Sequence, residues 1–407
     1  MSRRLLPPLL LFALCIVGCA IQLPSVPILA SSGGTLASTP RIEDKLTPNQ
    51  GKVSTLALNT DHIVNFATDD QDNLYLVTLS GVDKVTPSGK RMHIIDSVED
   101  FREGADNPAT VTNLEAIAVA HDGTMYLWGD AGRVYIRTPA GKFSSVLVGK
   151  HYSYVPNLAV DAQGNVYVSV NPSNVLPGDH QIVKVTPQGD VSVYAGRKDG
   201  GPGYADGPAD QALFNQPGAL AFDGEGNLYV ADMGNQAIRR ITPDGNVSTV
   251  VAWEGGTRWG TPGDASDVAA DVPFGPPAIN TAPWFSPTPI QSSRPSPPAP
   301  VGSNWYLGLT VDRAGNLYFT ANDNRIHRLT PDGSLSVFAG DGKQCLEDPV
   351  CDDGSEPCAS PDPKACHKDG LAMQAEFAQI RGMVANSQGV LYVLDAATGH
   401  SYVRVIR

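Results

Sequence analysis

The sequence predicts an all-β protein built as a six-bladed β-propeller, closed by an N-terminal strand and carrying Pro-rich and Cys-rich loop insertions. Three observations predict it. Short runs of β-forming residues alternate with Gly, Pro, Asp and Asn turn clusters, and apolar residues at helical spacing are nearly absent. One pattern recurs: residues 220–251 read LAFDGEGNLYVADMGNQAIRRITPDGNVSTVV, and residues 309–340 read LTVDRAGNLYFTANDNRIHRLTPDGSLSVFAG. Weaker copies begin at Phe66, Ile117 and Leu158, and a sixth begins at Met383. The sixth copy reaches Arg407 without its T-P-D-G turn and outermost strand, while Leu46-Thr-Pro-Asn-Gln-Gly-Lys-Val-Ser-Thr-Leu-Ala57 carries both.

Within a copy, each element has a local cause. Leu220–Asp223 and Leu228–Ala231 flank Gly224-Glu-Gly226-Asn227, which is strand, tight turn, strand. Ala237–Ile241 and Val247–Val251 flank Thr242-Pro-Asp-Gly245, where Pro pre-sets φ and Gly accepts the turn's end. Four antiparallel strands in about 40 residues make one propeller blade. Residues 46–58 are expected to pair with the strand around Tyr402–Ile406, so that the ring closes and no edge is left bare.

Composition agrees with this fold and excludes one class of partner. The chain of 407 residues is 42% hydrophobic and 17% charged, enough for a substantial core. Its formal charge of −13 and the lack of Lys/Arg clusters argue against nucleic-acid binding.

The first residues read as a targeting segment. Arg3 and Arg4 precede the apolar run Leu5–Val17, which is short for a bilayer span and ends Ile16-Val17-Gly18-Cys19. That ending resembles the bacterial lipobox. The resemblance implies a signal peptide over 1–18, lipidation (palmitate) of Cys19, and a bacterial cell-envelope location with the membrane reached through the lipid. Ala20 gives no inner-membrane retention signal of the Asp kind, which favours the outer membrane or cell surface. Residues 19–45, rich in Ser, Thr, Pro and Gly, read as a flexible tether to a propeller over 46–407. Four further cysteines, Cys345, Cys351, Cys358 and Cys366, lie close together. An even number in an exported chain predicts two disulfides with three possible pairings, and no Cys-x-x-Cys spacing supports zinc.

The pattern D-x-x-G-N-L-Y-V-A-D-x-x-N-x-x-I-R-R-I-T-P-D-G, with Gly203-Tyr-Ala-Asp-Gly207 and Phe214-Asn-Gln-Pro217 before it, resembles the NHL-repeat family of β-propellers. The resemblance spans roughly 46–407, is strongest over Gly196–Ala252, and implies fold more than function. Propellers of this kind are binding platforms, sensors and sometimes lyases or lactonases.

Long connections concentrate on one face. Residues 253–305 form a Pro-rich insertion, 341–376 a Cys-bearing one, and 196–217 a third connection; all run from a fourth strand to the next first strand. Asn171–His180 expands a second-to-third-strand connection, which emerges on that same face. In repeat proteins the insertion-bearing face is often the binding face. The acidic Cys-bearing loop and Trp253, Trp259, Trp284 and Trp305 could serve a protein or glycan partner, or simply cover the rim.

Residues opening the first strands or ending the second should surround the channel mouth there. Alignment selects Asn65, Glu115, Asn157 and Arg381, together with Asp130, Asp232 and Asp395. Their oxygens would suit Ca²⁺, or water and neighbouring blades. Gluconolactonase-like propellers use a channel-mouth metal, but their pattern is not present here. No three-histidine set, Gly-x-Ser-x-Gly elbow or phosphate loop is found. The expectation is therefore a lipid-anchored scaffold for a protein or glycan, without a required cofactor. A metal-dependent lactonase- or lyase-like enzyme is the alternative.

Overall fold

The computed structural model describes residues 51–56, 58, 62–96, 114–129, 132–148, 158–171, 180–198, 200–252, 308–320, 324–342, 368–397 and 400–407. The signal segment, Cys19, the tether, residues 253–305, all four loop cysteines, Asp130 and Asn157 lie outside the described residues.

Six antiparallel sheets follow one another along the chain. Blade one is β2 (Ile63–Thr68), β3 (Leu74–Thr78), β4 (Gly81–Val85) and β5 (Arg91–Asp96); blade two is β6 (Leu114–Val119), β7 (Met125–Gly129), β8 (Arg133–Arg137) and β9 (Phe143–Leu147). Blade three is β10 (Leu158–Val160), β11 (Val166–Val170), β12 (Gln181–Val185) and β13 (Val191–Ala195). Blade four is β15 (Pro217–Phe222), β16 (Leu228–Asp232), β17 (Ala237–Ile241) and β18 (Asn246–Ala252), with β14 (Gly207–Pro208) added outside β18. Blade five is β19 (Leu309–Val311), β20 (Leu317–Thr320), β21 (Ile326–Leu329) and β22 (Leu335–Ala339). Blade six is β24 (Ile380–Ala385), β25 (Leu391–Ala397) and β26 (His400–Ile406), completed by β1 (Lys52–Thr55) and β23 (Gly370–Leu371). Each first strand packs beside the first strand of the next blade, and β24 packs beside β2. The ring is therefore closed.

The recurrent Asp and Tyr have a shared purpose. Oδ1 of Asp69, Asp161, Asp223 and Asp312 accepts backbone N–H groups two and four residues ahead, shaping the first turn of blades one, three, four and five, and Oδ1 of Asn386 does the same in blade six. In blades one, three and five the second-strand tyrosine, Tyr75, Tyr167 or Tyr318, donates its hydroxyl to that same carboxylate at 2.9–3.1 Å. Burial pushes the Tyr126 and Tyr318 hydroxyls up to about 12, so they stay protonated donors at neutral pH. Apolar residues fill the seams between blades, as where Tyr167 meets Tyr194 and Phe222 edge-on.

Closure uses a strand pairing and a turn contact. Val53, Ser54 and Thr55 pair with Ile406, Val405 and Arg404, as the sequence predicts. Val53 is fully buried. On the short-turn face Asp72 occupies φ 61°, where other blades place Gly, and its carboxylate accepts Ser387 N and Oγ at 2.8 Å. Those bonds tie blade one to blade six. Asp72→Ala is expected to cost about 1–2 kcal/mol in denaturant unfolding, through lost bonds to a positive-φ turn. Asp72→Gly should cost less, because Gly relieves that backbone; an equal cost would contradict the strained-turn account.

Candidate functional site

The insertion-bearing face is built from the starts of first strands and the ends of second strands. Bulges interrupt the first-strand pairing there in blades one, two, four and six. Val64, Glu115 and Arg381 are the unpaired bulge residues in blades one, two and six, with Gly218-Ala219 in the corresponding place in blade four. A bulge re-aims the side chain it carries. Glu115 and Arg381 are thus equivalent and half-buried, and Arg381 donates Nε and Nη2 to Gln379 at 3.2 Å. Asn65 sits one position past its bulge, paired with Val77, so it is not their structural counterpart.

Asp232 and Asp395 are placed otherwise than the sequence suggested. Both are fully buried, and each forms an ion pair with a fully buried arginine of the third strand. Arg239 donates Nη1 to Asp232 at 2.7 Å, Nε and Nη2 to Asp206, and further bonds to the carbonyls of Leu213 and Ala205. Its guanidinium lies between the rings of Tyr204 and Phe214, at 4.9 and 5.1 Å. Arg404 repeats this with Asp395, Asp369, the carbonyls of Glu376 and Lys368, and Phe377. The outer carboxylates also hold the fourth-strand position: Asp206 accepts Thr249 N and Oγ1, and Asp369 accepts Thr55 N and Oγ1.

These two carboxylates are therefore engaged in binding a connection onto its own blade. Such oxygens do not suit a metal ion, and no group of three potential ligands assembles among the described residues. The signal was present in the sequence. Asp206-Gly-Pro-Ala209, Ala212 and Phe214 recur at identical spacing as Asp369-Gly-Leu-Ala372, Ala375 and Phe377. Residues 368–376, assigned from sequence to the Cys-bearing insertion, are built into blade six as β23 and the turn that follows it.

Burial pushes the Asp232 carboxyl up to about 6, with Arg239 and hydrogen bonds from Asn235 and Asn215 pulling the other way. Asp232 Oδ1 accepts Asn215 N at 2.8 Å, beginning a run of three anchored residues. Gln216 N donates to Nδ1 of His180 at 2.9 Å, and Asn171 Nδ2 donates to the Pro217 carbonyl at 2.7 Å. His180 and Asn171 are each 8% exposed and flank the expanded connection of blade three. Gly234 is required beside them: a Cβ there would come within 2.5 Å of the Asn215 side chain. Gln216 holds φ 53°, and Oδ1 of Asn171 and Oγ of Ser169 are buried with no hydrogen-bond partner among the described residues. Sequence reasoning missed this set because its bonds join residues 17, 36 and 46 positions apart.

The opposite mouth is bridged. Asp70, His121 and Arg313 come from the first turns of blades one, two and five; Asp70 contacts His121 Nδ1 and lies 4.0 Å from Arg313.

No protein-family model matches the chain, and no curated protein matches it in sequence. Among solved structures it is similar to virginiamycin B lyase from Staphylococcus aureus, with 12% identity and a TM-score of 0.46 over 88% of this chain and 99% of that one. It is also similar to a gluconolactonase from Xanthomonas campestris (12%, TM-score 0.48, 90% and 93%) and to the calcium-binding protein regucalcin from Agrobacterium tumefaciens (12%, TM-score 0.47, 88% and 94%). These neighbours are six-bladed-propeller-like proteins, and at such identity the likeness concerns fold alone.

Proposed function

We propose that this chain is an exported, lipid-anchored propeller that binds a protein or glycan partner through its insertion-bearing face. The observation that carries the reading is one-sided construction. The first turn of each blade is short, while every long connection leaves the other end, where buried Arg–Asp clamps lock two of these connections onto blades four and six. Rigid attachment of a long connection favours recognition, because less freedom is lost on binding. The disulfides expected among Cys345, Cys351, Cys358 and Cys366 would stiffen one of them further.

The test is capture of envelope proteins and glycans by the full chain and by a variant lacking residues 343–367, a deletion that spares Lys368 and Asp369 of the Arg404 clamp. Loss of a captured species in the variant supports the reading; identical profiles from the two proteins count against that loop. A lactonase- or lyase-like activity is the second reading, favoured by the half-buried, oppositely charged bulge residues Glu115 and Arg381 on the same face. Turnover of a lactone panel that Glu115→Gln abolishes, with thermal stability kept, would establish it in place of the first.

A further inference from the structure

His180 is poised to sense pH. A backbone N–H can only donate, so the bond from Gln216 N requires a lone pair on Nδ1. The ring is therefore neutral and carries its proton on Nε2. Its burial at 8% exposure leaves little room for water to replace that acceptor. The residue it holds is strained: Gln216 adopts φ 53° immediately before Pro217, a left-handed conformation unusual for a residue with a side chain.

We propose that His180 is a pH-sensitive latch on the segment Asn215–Pro217, which opens the innermost strand of blade four on the insertion-bearing face. Protonation of Nδ1 sets a donor against the Gln216 N–H donor. The bond is lost, Gln216 relaxes from the left-handed region, and the entry to blade four loosens as pH falls through the histidine range. Two discrete backbone states biased by one proton are what a switch requires.

The charged groups around the latch come from several elements. Asp232 of β16 pairs with Arg239 of β17, which pairs with Asp206 of the preceding connection. Exposed Arg197 and Lys198 follow β13, and Asp179 precedes His180 in the chain, outside the described residues. Ser169 of β11 and Asn171, just after that strand, are uncharged. Asp232 holds the adjacent Asn215 and is raised towards the same range, so the experiment must separate the two groups.

The measurement is hydrogen exchange at the Gln216 amide in the full chain, corrected for intrinsic rate, on either side of the ordinary histidine value of about 6.5. Wild type is expected to lose about tenfold in protection on the acid side, the equivalent of one hydrogen bond. His180→Asn supplies a non-titrating Oδ1 near the position of Nδ1 and should keep protection at both pH values. His180→Phe should lack protection at both. Equal protection of wild type at the two pH values would overturn the latch, and that outcome needs no variant to fold. A pH response that persists in His180→Asn would also overturn it, by assigning the titration to Asp232. The latch stands whichever partner the face binds.

Discussion

A chain that begins at residue 60 will unfold at far lower denaturant concentration than one that begins at residue 40. The lost segment contains Val53, whose burial is worth about 1.5–3 kcal/mol. It also contains Leu56 and Leu58, packed on a core that joins blades one and six through Ile63, Leu76 and Leu394. Bonds between Lys52 and Arg407, from Leu56 N to Val403 O, and from Ala372 N to Gly51 O go with it, each worth about 1 kcal/mol. The summed loss is on the order of 5 kcal/mol, comparable with the whole stability of many domains. It also bares β26 as an edge and strips Thr55 from Asp369. Equal unfolding midpoints for the two chains would show that β1 does not close the ring.

Arg239→Met will be the most damaging single substitution in blade four, by about 3–5 kcal/mol at neutral pH, because it leaves Asp232 buried without its cation. The pH dependence has a definite sign. The folded-state carboxyl of Asp232 already sits near 6, above the ordinary carboxylate value, so the folded protein binds that proton more tightly than the unfolded chain. Its contribution to stability is full at low pH and is lost as pH rises through about 4 to 6. Removal of Arg239 raises the carboxyl further. The variant's deficit should therefore be smaller at about pH 5, where Asp232 can take a proton, than at about pH 8. Replacing Asp232 and Arg239 together by apolar residues should recover much of the loss. Unfolding free energies that show the same deficit at both pH values would contradict the assignment of the buried charge to Asp232.

Much of the architecture was written in short-range pattern. The D-x-x-G-N-L-Y segment carries its own explanation, since the carboxylate, the turn amides and the tyrosine it organises lie within seven residues. The turn is set by residues close in the chain, so its recurrence in blades one, three, four and five, with variants at Ala120–Tyr126 and Asn386–Tyr392, announces six blades. The closing strand was also legible, because a blade short of a strand leaves an edge that some other segment must cover. The equivalence of Glu115 and Arg381 survives in the structure as a shared bulge. Asn65 does not belong with them, as a one-residue slip is invisible without the pairing partner.

Asp232 and Asp395 show where pattern stops. A carboxylate ending a second strand reads the same whether it faces a channel or a buried guanidinium. Only the third-strand arginine and the connection folded back over it make it a clamp. His180 is more extreme: nothing near it in the chain indicates that its Nδ1 accepts from a residue 36 positions away. Blade number, turn chemistry and ring closure follow from local sequence because their causes act over a few residues. The clamps, the anchored Asn215–Pro217 segment and the bridged opposite mouth depend on burial and on contacts between separate blades, which exist only once the ring has closed.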